Sequence, residues 1–232
     1  MDGSTAPPVR TIPTLDSPEM SLTQVPIKTA RVLRFDPVQR GAHWANGVLF
    51  ISLIFTALPL YFGSFFGVVL PRHLIEVIHL WSGLALPLPI IISLIGPWGR
   101  TMRRDVRRIN NWTYQEIRWM RTLGRVNLEA DKFNPGQKLN GIFVGASILV
   151  TLVTAAMLQW FRFFSVSWRS GATLVHDVFA FAIFFVVVGH IIVAFTHRDA
   201  LGAIFKGWVR RDWAVRHASR WLAEDDVDGP RM

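Results

Sequence analysis

Residues 173–196 read TLVHDVFAFAIFFVVVGHIIVAFT, a run without lysine or arginine in which two histidines are set among apolar side chains. A helix needs about 20 apolar residues to cross the hydrocarbon core of a bilayer. Soluble helices seldom stay apolar all the way round for that length. The run therefore predicts a transmembrane helix. Working outward from it, no lysine or arginine occurs in 41–71, 73–99, 139–161 or 170–197. Four spans are predicted, near Trp44–Phe62, Leu74–Ile95, Leu139–Trp160 and Thr173–Thr196. Pro59, Pro87 and Pro89 fall inside two of them and predict kinks, which membrane helices tolerate. The expected fold class is an all-α membrane protein, a four-transmembrane-helix bundle.

The chain has 232 residues with 25 Lys+Arg against 16 Asp+Glu, a net charge of +9. Placement explains that excess. Of the 25 basic residues, 22 lie before span one, between spans two and three, or after span four; the others are Arg72, Arg162 and Arg169. Positively charged loops stay cytoplasmic. Both termini and the middle segment are expected there, so the charge orients the bundle and nucleic-acid binding is a poor reading of it. Residues 1–33 are rich in Pro, Ser and Thr, lack a signal peptide's apolar region, and read as a flexible cytoplasmic tail. Residues 34–215 form the expected four-helix domain, with 216–232 as a second cytoplasmic tail. The segment RRDVRRINNWTYQEIRWMRTLGR (103–125) predicts an amphipathic helix on the inner leaflet. The alternative is a docking surface or a lid. Zero cysteines exclude disulfides, Cys-ligated clusters, cysteine nucleophiles and covalently attached c-type haem.

Ionisable groups inside a membrane are costly and by default functional. Four of the seven histidines, His43, His79, His176 and His190, lie in or at the mouth of a span. His176 and His190 are fourteen apart, which returns a helix to within about 40° of the same face and about 21 Å along it. Depth pairs them. The chain enters span one from inside and spans two and four from outside, so His43 and His190 share the inner half, and His79 and His176 the outer. Two stacked pairs of imidazoles suit bis-histidine b-type haem. Zinc or copper would want further ligands at each site. A small residue follows each histidine by one turn, Gly47, Gly83, Ala180 and Ala194, leaving room for a flat macrocycle. His73, His197 and His217 read as interfacial or tail residues, and Asp177 as an acid near the outer end of span four.

These residues resemble a family. R-G-A-H-W (Arg40–Trp44), H-L-W-S-G (His79–Gly83), the fourteen-residue His spacing and F-N-P-G-Q-K-L-N (Phe133–Asn140) are similar to the dihaem cytochrome b subunit of membrane-bound formate dehydrogenases. Cytochrome b subunits of nickel–iron hydrogenases and thiosulfate reductases are relatives of that group. The resemblance covers about residues 34–215 and departs at Pro135, where the family usually has Ala, and in the longer amino-terminal tail. It implies two non-covalent b-type haems, with His43, His190, His79 and His176 as iron ligands. It further implies a quinone near the inner haem, contacted by Asn134, Gly136 and Gln137, although Asn134-Pro-Gly reads equally as a helix cap. Iron–sulfur and catalytic subunits of a dehydrogenase would be the partners, in a bacterial inner membrane beside lipid and the quinone pool. The chain itself would transfer electrons and reduce quinone without oxidising formate. Two other readings stay open. One is a stand-alone quinol-oxidising cytochrome of the b561 type; the other is a haem-free anchor or transporter with histidine proton relays.

The charge asymmetry makes an orientation prediction. A cysteine introduced at Ser165 reacts with an impermeant reagent from outside intact cells, while cysteines at Thr122 or Ser219 react only after permeabilisation. The reverse labelling pattern overturns the charge argument.

Overall fold

The computed structural model describes residues 30–63 and 71–228; residues 1–29 of the expected amino-terminal tail, and 229–232, lie outside them. Three of the four spans start at a side-chain cap, Asp36, Asn134 or Ser165. Asp36 opens α1 (Pro37–Tyr61), its carboxylate accepting from the Gln39 N–H while the Gln39 side chain returns a bond to the Asp36 N–H. This capping box satisfies two otherwise orphaned donors, and Pro37 occupies a helix position where no N–H is needed. The helix therefore begins about two turns before the apolar run, and it continues through Pro59. The second span is divided into α2 (Arg72–Ala85) and α3 (Leu88–Leu94). Pro87 and Pro89 remove two helical hydrogen bonds within one turn and crowd the preceding turn, so the helix breaks where kinks are expected.

Past a left-handed Gly96 (φ +68°) and a 3₁₀ turn at Pro97–Gly99, the basic segment forms α4 (Arg100–Asn110) and α5 (Tyr114–Arg121). This corrects the single amphipathic helix read from residues 103–125. Asn111 leaves the helical region, and Thr113 caps a new helix in a box with Glu116. Asn is a weak helix former and Thr a strong cap, so the chain restarts rather than continues. The third and fourth spans are α6 (Pro135–Gln159) and α7 (Val166–Thr196). At 31 residues α7 is about 46 Å long, more than a ~30 Å hydrocarbon core requires. After it come α8 (Arg198–Lys206), β2 (Trp208–Arg210), α9 (Arg211–His217) and α10 (Ser219–Asp228).

The molecule is thus mostly helical, with four helical segments long and apolar enough to cross a membrane. Their outward faces carry exposed Val48, Phe55, Leu149, Phe185 and Ile192, the surface a lipid solvent accommodates. The segment α1 packs on α2–α3, and α6 packs on α7. Between these two hairpins the backbones of the spans keep apart, and side chains reach across, as where the Tyr61 ring meets Phe181 edge-on at 5.2 Å.

What joins the hairpins is a polar collar at the end that carries the basic segments. A short strand β1 (Arg31–Leu33) pairs antiparallel with β2, Val32 opposite Val209. Gly207, at φ +90°, offers its carbonyl to the N–H groups of Arg34 and Phe35 at 2.8 and 2.9 Å. Beneath the strands Ala203, Val209, Trp213, Ala214, Ala218, Trp221 and Leu222 form a small apolar core. Charges are buried around it. Lys138, fully enclosed at the start of α6, donates to Glu116 at 2.8 Å and to the Asn111 carbonyl at 2.7 Å. Arg220 of α10 reaches Glu116 and Asp131, and Arg108 pairs with Asp131. Lys132 and Gln39 both donate to Asp105, which joins α1 to the middle segment. Burial pulls the Arg34 guanidinium down to about 10, with Asp105 acting in the opposite direction.

Breaking a fully buried ion pair on one side leaves an uncompensated charge. Lys138→Met or Glu116→Leu alone is expected to cost about 3–5 kcal/mol, read as a lower unfolding midpoint in detergent, while the double variant recovers most of the loss. Burial alone would raise the Glu116 carboxyl, but the Lys138 and Thr113 hydrogen bonds and the Lys138 and Arg220 charges overcome it and hold the group below its ordinary value. Its contribution to stability is therefore complete at neutral pH, begins to fall below about 4.5 and is lost as pH drops through the lower value of the folded state. In Glu116→Leu that part of the acid sensitivity should be missing.

Candidate functional site

His43 stands two turns into α1 and His190 near the far end of α7. Their rings face each other across the space between the hairpins, with centroids 6.1 Å apart and planes at 51°. Both side chains are open to that space. Trp44 packs edge-on to His43 at 5.5 Å and against Phe205 of α8 at 4.8 Å, which fixes this end of α1. One turn beyond His43, a Cβ built on Gly47 would meet nothing within 4 Å.

His79 and His176 stand toward the opposite end, on α2 and α7. Each is held by a threonine from the preceding helix of its own hairpin. Thr56 Oγ1 of α1 lies 2.8 Å from His79 Nδ1, and Thr154 Oγ1 of α6 lies 3.0 Å from His176 Nδ1. The hydroxyl protons are already committed. Thr56 donates to the Ser52 carbonyl at 2.7 Å, and Thr154 to the Val150 carbonyl at 2.8 Å. Each threonine oxygen therefore accepts, and the imidazole donates from Nδ1. Both rings are thus fixed as the Nδ1–H tautomer, with the Nε2 lone pair unspent. A Ser52–Ser82 hydroxyl contact at 2.9 Å ties α1 to α2 one turn away.

These residues fit a haem ligated by two histidines. Two imidazoles bound to one metal at about 2 Å each have ring centroids about 6 Å apart, close to the His43–His190 spacing. His43 and His190 stand on different hairpins, as do His79 and His176. Among the described residues no three His, Asp or Glu side chains cluster as a zinc or copper site would ask. An apolar groove of about 470 Å³ between α1 and α3, lined by Gly41, Ala45, Leu49, Pro89 and Ile92, contains none of the four histidines.

The segment before α6 is a helix cap. Asn134 Oδ1 accepts from the Gln137 N–H at 2.9 Å, and Gln137 Oε1 accepts from the Asn134 N–H at 3.1 Å. Both residues and Gly136 are exposed, and their side-chain nitrogens have no hydrogen-bond partner among the described residues. Neither side chain bonds to His43 or His190. His73 is exposed at the start of α2, His197 bonds back to the Val193 carbonyl at 3.0 Å, and His217 stacks on Trp213 at 5.0 Å. Asp177 is partly buried beside His176.

Sequence reasoning missed Thr56 and Thr154. The available signal was spacing: a threonine stands 23 residues before His79 and 22 before His176, so hairpin geometry sets hydroxyl and ring at one depth. It missed the Lys138–Glu116 pair as well, since nothing local marks a lysine as buried.

The sequence model of the prokaryotic cytochrome b561 family matches residues 34–210. The formate dehydrogenase cytochrome b556 subunit of Haemophilus influenzae is 25% identical over 203 residues, 84% of each chain. The cytochrome b556(fdo) subunit of formate dehydrogenase from Escherichia coli is 24% identical over 207 residues, covering 83% of this chain and 92% of its own. The nitrate-inducible cytochrome b556(Fdn) subunit of the same organism is 20% identical over 208 residues, with 85% and 93% covered.

Proposed function

The chain belongs to the prokaryotic cytochrome b561 family, and from that premise we propose that it is the cytochrome b subunit of a formate dehydrogenase, passing electrons from an outer iron–sulfur subunit to a quinone reduced near the cytoplasmic face. The similarity to three formate dehydrogenase b556 subunits along most of their length supports the choice of enzyme. The observation that carries the electron-transfer role is the pair of imidazoles, His43 and His190, facing each other from the two hairpins.

In this reading residues 34–215 are a dihaem unit in a bacterial inner membrane, with the basic collar and both termini in the cytoplasm. His43 and His190 hold the inner b-type haem, His79 and His176 the outer one, both without covalent attachment. Bound haem supplies one-electron chemistry at each site. The chain's own residues do the rest. The four spans keep bulk water away, and the helix-borne imidazoles fix the depth of each site. At the cytoplasmic end the Asn134 and Gln137 amide oxygens are spent on the cap, so their amide nitrogens face outward as donors for quinone carbonyls. Gly136 leaves the backbone open to a flat ring, and Lys138 one residue past Gln137 pins the loop to Glu116. Cap and quinone contact are therefore compatible uses of one segment. Oxidation of formate belongs to a separate catalytic subunit, and lipid and the quinone pool complete the list of partners.

Purified protein should contain two extractable, non-covalent haems per chain. His79→Ala or His176→Ala should remove one and leave the spectrum of the His43/His190 haem. A folded protein lacking any reducible b-type absorbance refutes the proposal, and equal loss of both haems in either variant refutes the pairing.

The quinone contact has a sharper test, because Asn134→Asp and Gln137→Glu keep the oxygen that the cap uses and replace only the NH₂ donor. Losing that donor should weaken quinone binding by about 1–3 kcal/mol, roughly ten- to a hundredfold, with both haems retained. The measurement is quinone-driven reoxidation of dithionite-reduced haem in membranes over a range of quinone concentrations. Unchanged reoxidation in both variants leaves the segment a cap and nothing more.

A further inference from the structure

The two histidine pairs are not equivalent. His79 and His176 each donate from Nδ1 to a threonine oxygen whose own proton is locked onto its helix. Among the described residues no hydrogen bond reaches the ring of His43 or His190, whose ring contacts are with each other and Trp44. An imidazole that donates a hydrogen bond from one nitrogen becomes more basic at the other. A more basic axial ligand favours the oxidised, more positively charged iron and so lowers the reduction potential of the haem it holds.

We propose that Thr56 and Thr154 are positioning residues that fix the tautomer of His79 and His176 and make the haem between them the lower-potential of the two. This rests on the reading of the four histidines as haem ligands and adds to it a direction. Electrons entering at the outer pair then move downhill to the inner pair, and the bias is built from one hydroxyl on each hairpin. The construction repeats closely. Each threonine sits on the first helix of its hairpin and is back-bonded to carbonyls three and four residues earlier, and each histidine is on the returning helix. A lone threonine beside a histidine would be unremarkable packing. Two such pairs at the same depth, with neither inner histidine so treated, differentiate the sites.

The test is a potentiometric titration of the full-length protein in detergent, followed optically and by electron paramagnetic resonance, with each midpoint assigned by its disappearance in His79→Ala. In the unsubstituted protein the midpoint assigned to the His79/His176 haem must be the lower; finding it the higher overturns the proposal without any threonine variant. Thr56→Val and Thr154→Val should each raise that midpoint, by roughly threefold to tenfold in the reduced-to-oxidised ratio at a fixed potential, and leave the other midpoint in place. Tenfold corresponds to about 59 mV for a one-electron couple. Thr56→Ser and Thr154→Ser, which keep the oxygen, should restore the original value. Thr151→Val removes a hydroxyl bonded only to its own helix and should shift neither midpoint. Two intact haems with an unmoved lower midpoint in both valine variants overturn the role of the threonines while the dihaem reading stands. Absence of haem from the unsubstituted protein overturns the dihaem reading instead.

Discussion

Two hairpins whose backbones keep apart inside the membrane are joined most densely by the charged collar at one end. That constraint explains why lysines, arginines and carboxylates are buried where the chain leaves the bilayer. Lys138 ties the start of α6 to α5, Arg220 brings α10 to the same carboxylate, and Asp105 joins α1 to the segment between the hairpins. Each bond connects elements distant in sequence. Removing two charges from water is costly, and such pairs contribute little net stability compared with apolar packing. Their value here is geometric, because they set the separation across which His43 and His190 meet.

Within the spans, polar side chains follow a different rule. A hydroxyl in an apolar helix can satisfy its proton on a carbonyl of the preceding turn. Thr56, Thr151 and Thr154 all do so. The bond consumes the donor and leaves an acceptor whose direction is set by the helix. A threonine is thus a rigid oxygen presented at a chosen depth, and the histidines of the returning helices exploit it. At the Asn134–Gln137 cap the logic is inverted, since the oxygens are consumed and the nitrogens remain.

Much of this architecture was legible in the sequence because its signals are long or repeated. Twenty-residue apolar runs gave the four spans, and helix periodicity placed His176 and His190 on one face. The limits of α1 and α6 were less visible, because their first turns are polar and their starts depend on caps at Asp36 and Asn134. A break between α4 and α5 hangs on Asn111 and Thr113, too local to outweigh the amphipathic pattern around it. Residues 216–228 read as tail, yet Trp221 and Leu222 are buried, since the apolar surface that receives them comes from α8 and β2. The buried pair Lys138–Glu116 was illegible for the same reason. A partner 22 residues away turns an ordinary basic residue into an enclosed one.

The pairing of β1 with β2 has a consequence for biosynthesis. Residues 31–33 find their strand partners at 208–210, so the sheet that closes the collar joins nearly the whole length of the domain. Such a contact cannot form on the ribosome until the last span has been made, and long-range pairings of this kind close late. During translation the first hairpin must wait in the lipid with its amino-terminal strand unpaired. The collar therefore closes last: a chain ending between residues 197 and 207 keeps all four spans and the bonds of Lys138 to Glu116 and of Gln39 and Lys132 to Asp105, but lacks the second strand and Arg220.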